Sequence, residues 1–264
     1  MPAPTRRART LAVCAAPFVA LLAVAAFVPL PFSIAQPGTT VNVLGADDGK
    51  EVITIGGADI RRTSGQLRMT TIVATGPKVD VSLSEVISGW FRTDRAVMPR
   101  DAVYPVGDSE KEIEQHNVAE MKKSQDSASQ AALRYLHKSP DQVKVDLNLA
   151  DIGGPSAGLL FTLGIIDKLD GDGRGGDLTA GRTIAGTGTI EPDGTVGAVG
   201  GVPLKTQAAR RDGATVFLVP QGECGDASAN LPKGLRLVPV EKLSDAVASL
   251  RALASGQDGK VPTC

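Results

Sequence analysis

Residues 11–30 form an apolar run without a single charged side chain, and Arg6, Arg7 and Arg9 stand just before it. Twenty helical residues rise about 30 Å, the thickness of a hydrocarbon core. The run predicts a transmembrane anchor over residues 11–30 behind a basic leader over residues 1–10. Pro17 lies inside its first turns and Pro29 at its exit, positions a spanning helix tolerates. Basic residues before the run place the leader in the cytoplasm and the body outside. The expectation is thus a single-pass protein of the cell membrane with an extracytoplasmic body. A cleaved signal peptide is a rival, because Ser33 and Ala35 have the small-x-small pattern of a cleavage site, and a cut near Ala35 would secrete the chain. A buried helix of a soluble core is the third reading.

Composition narrows what the body can do. The 264 residues carry 28 Lys+Arg against 29 Asp+Glu, and a net charge of −1 gives no reason to expect a nucleic-acid partner. Charged residues at 22% argue for a folded chain, and aromatics at 3% leave the core to Ala, Val, Leu and Ile. Three cysteines are too few for a Cys-only zinc site, and two histidines, His116 and His137, exclude a three-His centre. No metal is expected. Cys14 lies in the apolar run. Cys224, in Gly222-Glu223-Cys224-Gly225, and Cys264, the last residue, either pair in an oxidising compartment and tie down the tail at 256–264, or stay as two thiols.

Residues 36–138 read as a β-rich segment followed by a long helix. Strands are predicted at 51–55, ended by Gly56-Gly57, and at 67–74, ended by Gly76-Pro77. Residues 82–91 suit a short helix bearing Trp90. Ser109 and Glu112 have capping-box spacing and open a polar helix that runs to about Leu136. Its thin stripe of Ile113, Met121, Ala128, Ala132 and Leu136 suits a helix lying on the body's surface. From Val143 to Leu149 apolar and polar residues alternate, a strand with one buried face. Gly153-Gly154-Pro155-Ser156-Ala157-Gly158 follows, then an apolar stretch at 159–169 that predicts a buried helix. Strands at 182–190 and 196–199 flank the turn Pro192-Asp193-Gly194. A helix from Pro203 to Gly213, strands at 215–219 and 235–240, and a helix at 241–253 complete an α/β half. The predicted fold class is α/β, a mixed sheet with flanking helices, preceded by the N-terminal membrane helix.

Two look-alike motifs fail on chemistry. Gly45 and Gly49-Lys50-Glu51 imitate a phosphate loop, but three residues separate the glycines instead of four and Glu51 replaces the Ser/Thr that would hold magnesium. No ATP site is expected. Asp170 and Asp172 begin like a calcium loop, yet Arg174 takes a ligand position and Gly181 stands where a bidentate Glu belongs.

The strand–Gly-Gly-Pro-Ser-Ala-Gly–helix sequence is different. Small neighbours let substrate approach Ser156, and a helix starting just after it aims free N–H groups at developing negative charge, as an oxyanion hole requires. A nucleophilic serine needs a base, and neither His116 nor His137 lies beside the motif. A lysine can serve if burial lowers its pKa by about three units, at about 4 kcal/mol. Lys205 qualifies, since residues 199–204 carry no charge. Taken singly, each motif also fits a structural turn or an ordinary surface lysine.

Together they carry a resemblance. Gly153-Gly154-Pro155-Ser156-Ala157-Gly158, the segment 183–190, the segment 194–201 and Lys205 followed by Ala208-Ala209 resemble the proteolytic domain of Lon over residues 143–255. The nearer likeness is to the membrane-anchored Lon-like proteases of Gram-positive bacteria, which Trp90-Phe91, Pro99-Arg100, Tyr104-Pro105, Glu120-Met121 and Ser124-Gln125 also resemble. The resemblance implies the Lon proteolytic-domain fold and a serine endopeptidase with Ser156 as nucleophile and Lys205 as general base. Gly154, Ala157 and Thr187 would shape the oxyanion site and position the dyad. It implies polypeptide substrates, unfolded or near the membrane, no cofactor and no ATP, with self-association left open. Three departures stand out. Gly154 replaces the acidic residue of Lon's own motif, as in the anchored relatives. Lon's supporting threonine falls on Ala185, which leaves Thr187 as its substitute or a different Lys205 orientation. Only six residues separate Leu136 from Val143, too few for the PDZ domain that anchored relatives usually insert there. The rival functions are a non-catalytic adaptor with the protease fold and a self-processing maturation factor.

Overall fold

A computed structural model describes residues 6–104, 109–149 and 154–264, without the side chains at positions 8, 9 and 25–27. Residues 1–5 of the leader, Pro105 and Gly153 therefore lie outside the described residues. In chain order the elements are α1 (Arg6–Phe27), β1 (Phe32–Asn42), β2 (Ala46–Asp47), β3 (Lys50–Glu51), β4 (Ile53–Gly56), β5 (Gln66–Ala74), α2 (Leu83–Trp90), β6 (Ala96–Pro99) and α3 (Arg100–Val103). Then follow α4 (Glu110–Tyr135), β7 (Lys144–Leu147), a 3-10 turn (Pro155–Ala157), α5 (Gly158–Leu169), β8 (Thr183–Gly186), β9 (Thr189–Ile190) and β10 (Val196–Gly197). The chain closes with α6 (Val202–Arg211), β11 (Val216–Pro220), α7 (Cys224–Ser228), β12 (Arg236–Val240) and α8 (Leu243–Ala254). It divides into two compact units, Met1–Ala35 with Ala74–Pro105, and Gln36–Val73 with Val106–Cys264.

In the smaller unit the first residues of β1 pair antiparallel with β6, from Phe32 opposite Pro99 to Ala35 opposite Ala96. Ser82 caps α2 in a capping box with Glu85, and Val86 is buried with Ile34 and Val81. At its C-terminal end α1 stops short of the expected bound at residue 30. The helix ends at Phe27, and Leu30 instead bridges Val81. Pro29 and Pro31 explain the stop, because each disfavours helical backbone in the residue before it. Among the described residues, no helix is long and apolar enough to cross a membrane.

The larger unit is built on a mixed, curled sheet in the order β12-β11-β8-β5-β1, of which β12, β11, β8 and β5 run parallel. All five residues of β11 are buried, as expected for a parallel strand with both faces covered. Helix α5 is buried on every side from Gly158 to Lys168. Its Lys168 ammonium is satisfied by the Glu51 carboxylate at 2.9 Å and the Ile53 carbonyl at 3.1 Å. Helix α4 begins with the Ser109–Glu112 capping box, and its buried stripe includes Ile113, Met121, Ala128 and Ala132. The predicted strand at 51–55 is split, with β3 turning onto β2 and β4 pairing with β7 outside the main sheet.

Cys224 and Cys264 are disulfide-bonded with their Cα atoms 5.3 Å apart, closing a separation of 40 residues. Replacing Cys264 by Ser should lower stability by about 2–4 kcal/mol, because the unfolded chain regains the freedom of that loop. Urea unfolding under oxidising conditions measures this, and an unchanged midpoint would show that the bond contributes nothing.

Candidate active site

Ser156 lies in the 3-10 turn that opens α5, so its N–H and that of Ala157 sit in a first turn at the positive end of the helix. Gly154 precedes the turn with φ 94° and ψ 160°, a conformation closed to side-chain-bearing residues although the space around it is open. Its N–H donates to the Asn117 carbonyl of α4 at 3.3 Å. From the same helix the Ser124 hydroxyl donates to the Pro155 carbonyl at 3.0 Å. A cavity of about 100 Å³ opens beside this turn, lined by Ser124, Ser127, Pro155 and Ile190 among others.

The predicted continuous strand at 182–190 is broken between β8 and β9, and the break builds the site. The Thr187 N–H still bonds the Leu218 carbonyl at 3.1 Å, but the Gly188 N–H turns away to the Ser156 carbonyl at 3.0 Å. Gly188 has φ 146°, which a residue with a side chain rarely adopts. The Thr187 hydroxyl donates to the same Ser156 carbonyl at 3.3 Å. In the other direction it accepts a hydrogen bond from Lys205 Nζ at 3.0 Å.

Lys205 reaches this point from the second turn of α6 and is only 3% exposed. Burial pushes its pKa down from 10.5 to about 8, against the opposing pull of the Glu223 carboxylate. Its neighbours on α6, Val202, Leu204 and Ala208, are buried as well. Ser156, Thr187 and Lys205 thus converge from α5, the β8–β9 break and α6. Among the described residues the Ser156 hydroxyl has no hydrogen-bond partner, so Ser156 and Lys205 meet through Thr187. Ala185 is buried inside β8. Neither His116 nor His137 bonds Ser156. Among the described residues no group of His, Cys, Asp and Glu could hold a metal ion.

Two contributors escaped the sequence reading, Ser124 beneath Pro155 and Glu223, whose carboxylate accepts the Val199 N–H ahead of α6. Ser124 sits one helical turn from Met121 and Ala128 on the buried stripe, a polar residue in an apolar row, which was the available signal. Glu223 had none, since it is local to a loop and meets residue 199 only in three dimensions.

A catalytic domain of the Lon type is the class that this fold and site define, and the sequence comparisons agree. The family model described as "Lon protease (S16) C-terminal proteolytic domain" matches residues 107–252, and the chain belongs to that family. Lon protease 1 of Myxococcus xanthus is 32% identical over 114 residues, which is 42% of this chain and 13% of that relative. The chain thus matches only a small part of the length of this curated relative.

Lys205 takes its proton at about 8 when folded and near 10.5 in its ordinary state. Between these values the unfolded chain binds more protons, so this group makes stability rise with pH across the window. Lys205→Met, which never carries the charge, should exceed wild type in stability at pH 7 by about 3 kcal/mol. That advantage should shrink toward pH 10.5. Urea melts of both proteins across this range are the measurement, and a difference independent of pH would disprove the depressed pKa.

Proposed function

We propose that the protein is an ATP-independent, membrane-anchored serine endopeptidase in which Ser156 and Lys205 form the catalytic dyad. The observation that carries this reading is a lysine buried beside the serine turn, with its pKa lowered toward neutrality. Neutral Lys205 takes the Ser156 proton as Oγ attacks the carbonyl carbon, and the oxyanion faces the N–H groups of Ser156 and Ala157. Lys205 then returns the proton to the leaving amine, and a water it deprotonates cleaves the acyl ester. Thr187 holds Lys205 in the resting site, and Nζ exchanges that bond for Ser156 Oγ when substrate arrives. Gly154 keeps the turn open to the peptide, and the cavity beside Pro155 offers room for a substrate side chain.

Unfolded or membrane-adjacent polypeptides outside the cytoplasm are the substrates this reading favours. Support for the membrane comes from α1, whose Leu11, Val13, Phe18, Leu21 and Leu22 are all exposed behind Arg6 and Arg7. Support for the compartment comes from the Cys224–Cys264 bond, since such bonds persist in oxidising surroundings.

Ser156→Ala and Lys205→Ala should each lower cleavage of an unfolded polypeptide by at least about a thousandfold, with unchanged circular dichroism. Full activity in either variant overturns the dyad. A serine-reactive phosphonate should label Ser156, and failure to label, with Lys205 titrating at its ordinary value of 10.5, would favour the adaptor. Deleting residues 6–27 should move the protein from the membrane fraction to the soluble one.

A further inference from the structure

We propose that Glu223 is a positioning residue for Lys205, fixing the backbone ahead of α6 and setting a negative charge behind the ammonium group. This rests on the dyad reading above. Glu223 ends the short turn after β11, and its Oε1 accepts the Val199 N–H at 2.7 Å. Val199 lies three residues before the start of α6, the helix that delivers Lys205. The carboxylate therefore ties the turn after β11 to the segment that aims the lysine.

Three observations set Glu223 apart from an ordinary loop carboxylate. Its second oxygen, Oε2, is buried without a hydrogen-bond partner, an arrangement that a folded protein retains only for a reason. The next residue, Cys224, is covalently fixed to Cys264, and both Cys224 and Val199 pack on the apolar cluster of Ala185, Val202 and Ala209. The turn is thereby locked and Glu223 cannot swing into solvent without breaking that packing. Finally, Glu223 is the charged group that acts on Lys205, while Lys205 and Asp226 act on Glu223. The adjoining strands β8 and β11 carry no charge.

The charges behave as this arrangement requires. Burial raises the Glu223 pKa, and the Val199 N–H and Lys205 hold it down. Glu223 in turn raises the Lys205 pKa against a larger effect of burial. Burial alone would leave the lysine a weaker base, poor at taking the serine proton, so the carboxylate returns part of its basicity.

The test uses the full chain with lysine and glutamate side chains labelled with carbon-13. Glu223→Gln keeps an oxygen for the Val199 N–H and removes the charge. Its Lys205 Cε titration should fall by half a pH unit or more, about threefold in proton affinity. The acid limb of kcat/KM for a peptide substrate should move down in pH by the same amount. A purely structural role would lower activity at every pH without moving either midpoint, and that result overturns the proposal. If Glu223→Gln does not fold, Lys205→Met decides, since by reciprocity the Glu223 Cδ titration must then rise, and an unmoved midpoint overturns the proposal. Both titrations read the pairing without any turnover. A coupled pair in a protein that cleaves nothing would sink the peptidase reading alone, and active enzyme with uncoupled titrations would sink this inference alone.

Discussion

Lys205 is buried, as are its α6 neighbours Val202, Leu204 and Ala208, and its ammonium donates a hydrogen bond to the Thr187 hydroxyl. A buried charge is expensive unless it is paired and hydrogen-bonded, and the site is organised around that expense. Thr187 reaches the lysine because β8 stops at Gly186 and the chain then leaves the main sheet, with β9 pairing to β10 instead. The same departure lets Thr187 and Gly188 hold the Ser156 carbonyl from above, while Ser124 of α4 holds that of Pro155 from the other side.

Rigidity around the site comes from ordinary packing. Helix α5 is buried on all faces, so Ser156 opens an element that cannot shift without disturbing the core. Helix α6 starts from a glycine-rich segment held by Glu223 and packs Val202 and Ala209 with Ala185 and Phe217 of the sheet. Several charges near the core are answered locally, as with Lys168 by Glu51 and Asp172 by the Arg174 and Gly176 N–H groups of its own loop.

Much of this was legible in the chain itself. The capping box at Ser109 and Glu112, the stripe along α4, the apolar run of α5 and the proline-led start of α6 all rest on spacing within one element, and local geometry obeys spacing. Where the structure departs from the spacing, a partner distant in sequence or a nearby proline intervenes. The strand at 182–190 was read as unbroken because its residues suit a strand throughout, while the break is imposed by the Ser156 carbonyl. The strand expected after residue 143 does form, as β7, and only its pairing with β4 lies beyond what alternation can say. The apolar helix stopped at Phe27, where prolines outweighed hydrophobicity.

The sequence by itself pointed to Ser156 and Lys205 as candidate nucleophile and base, through motifs that together resemble the Lon proteolytic domain. It also determined most helices, because their apolar periodicity and caps are written within a few turns. Only the tertiary structure decided how the two residues meet. Their contact runs through Thr187, and Glu223 and Ser124 support it from loops and helices far away in sequence. The physical reason is that hydrogen bonds to a buried charge are chosen by distance and direction in the folded core, and neither quantity is encoded by spacing along the chain.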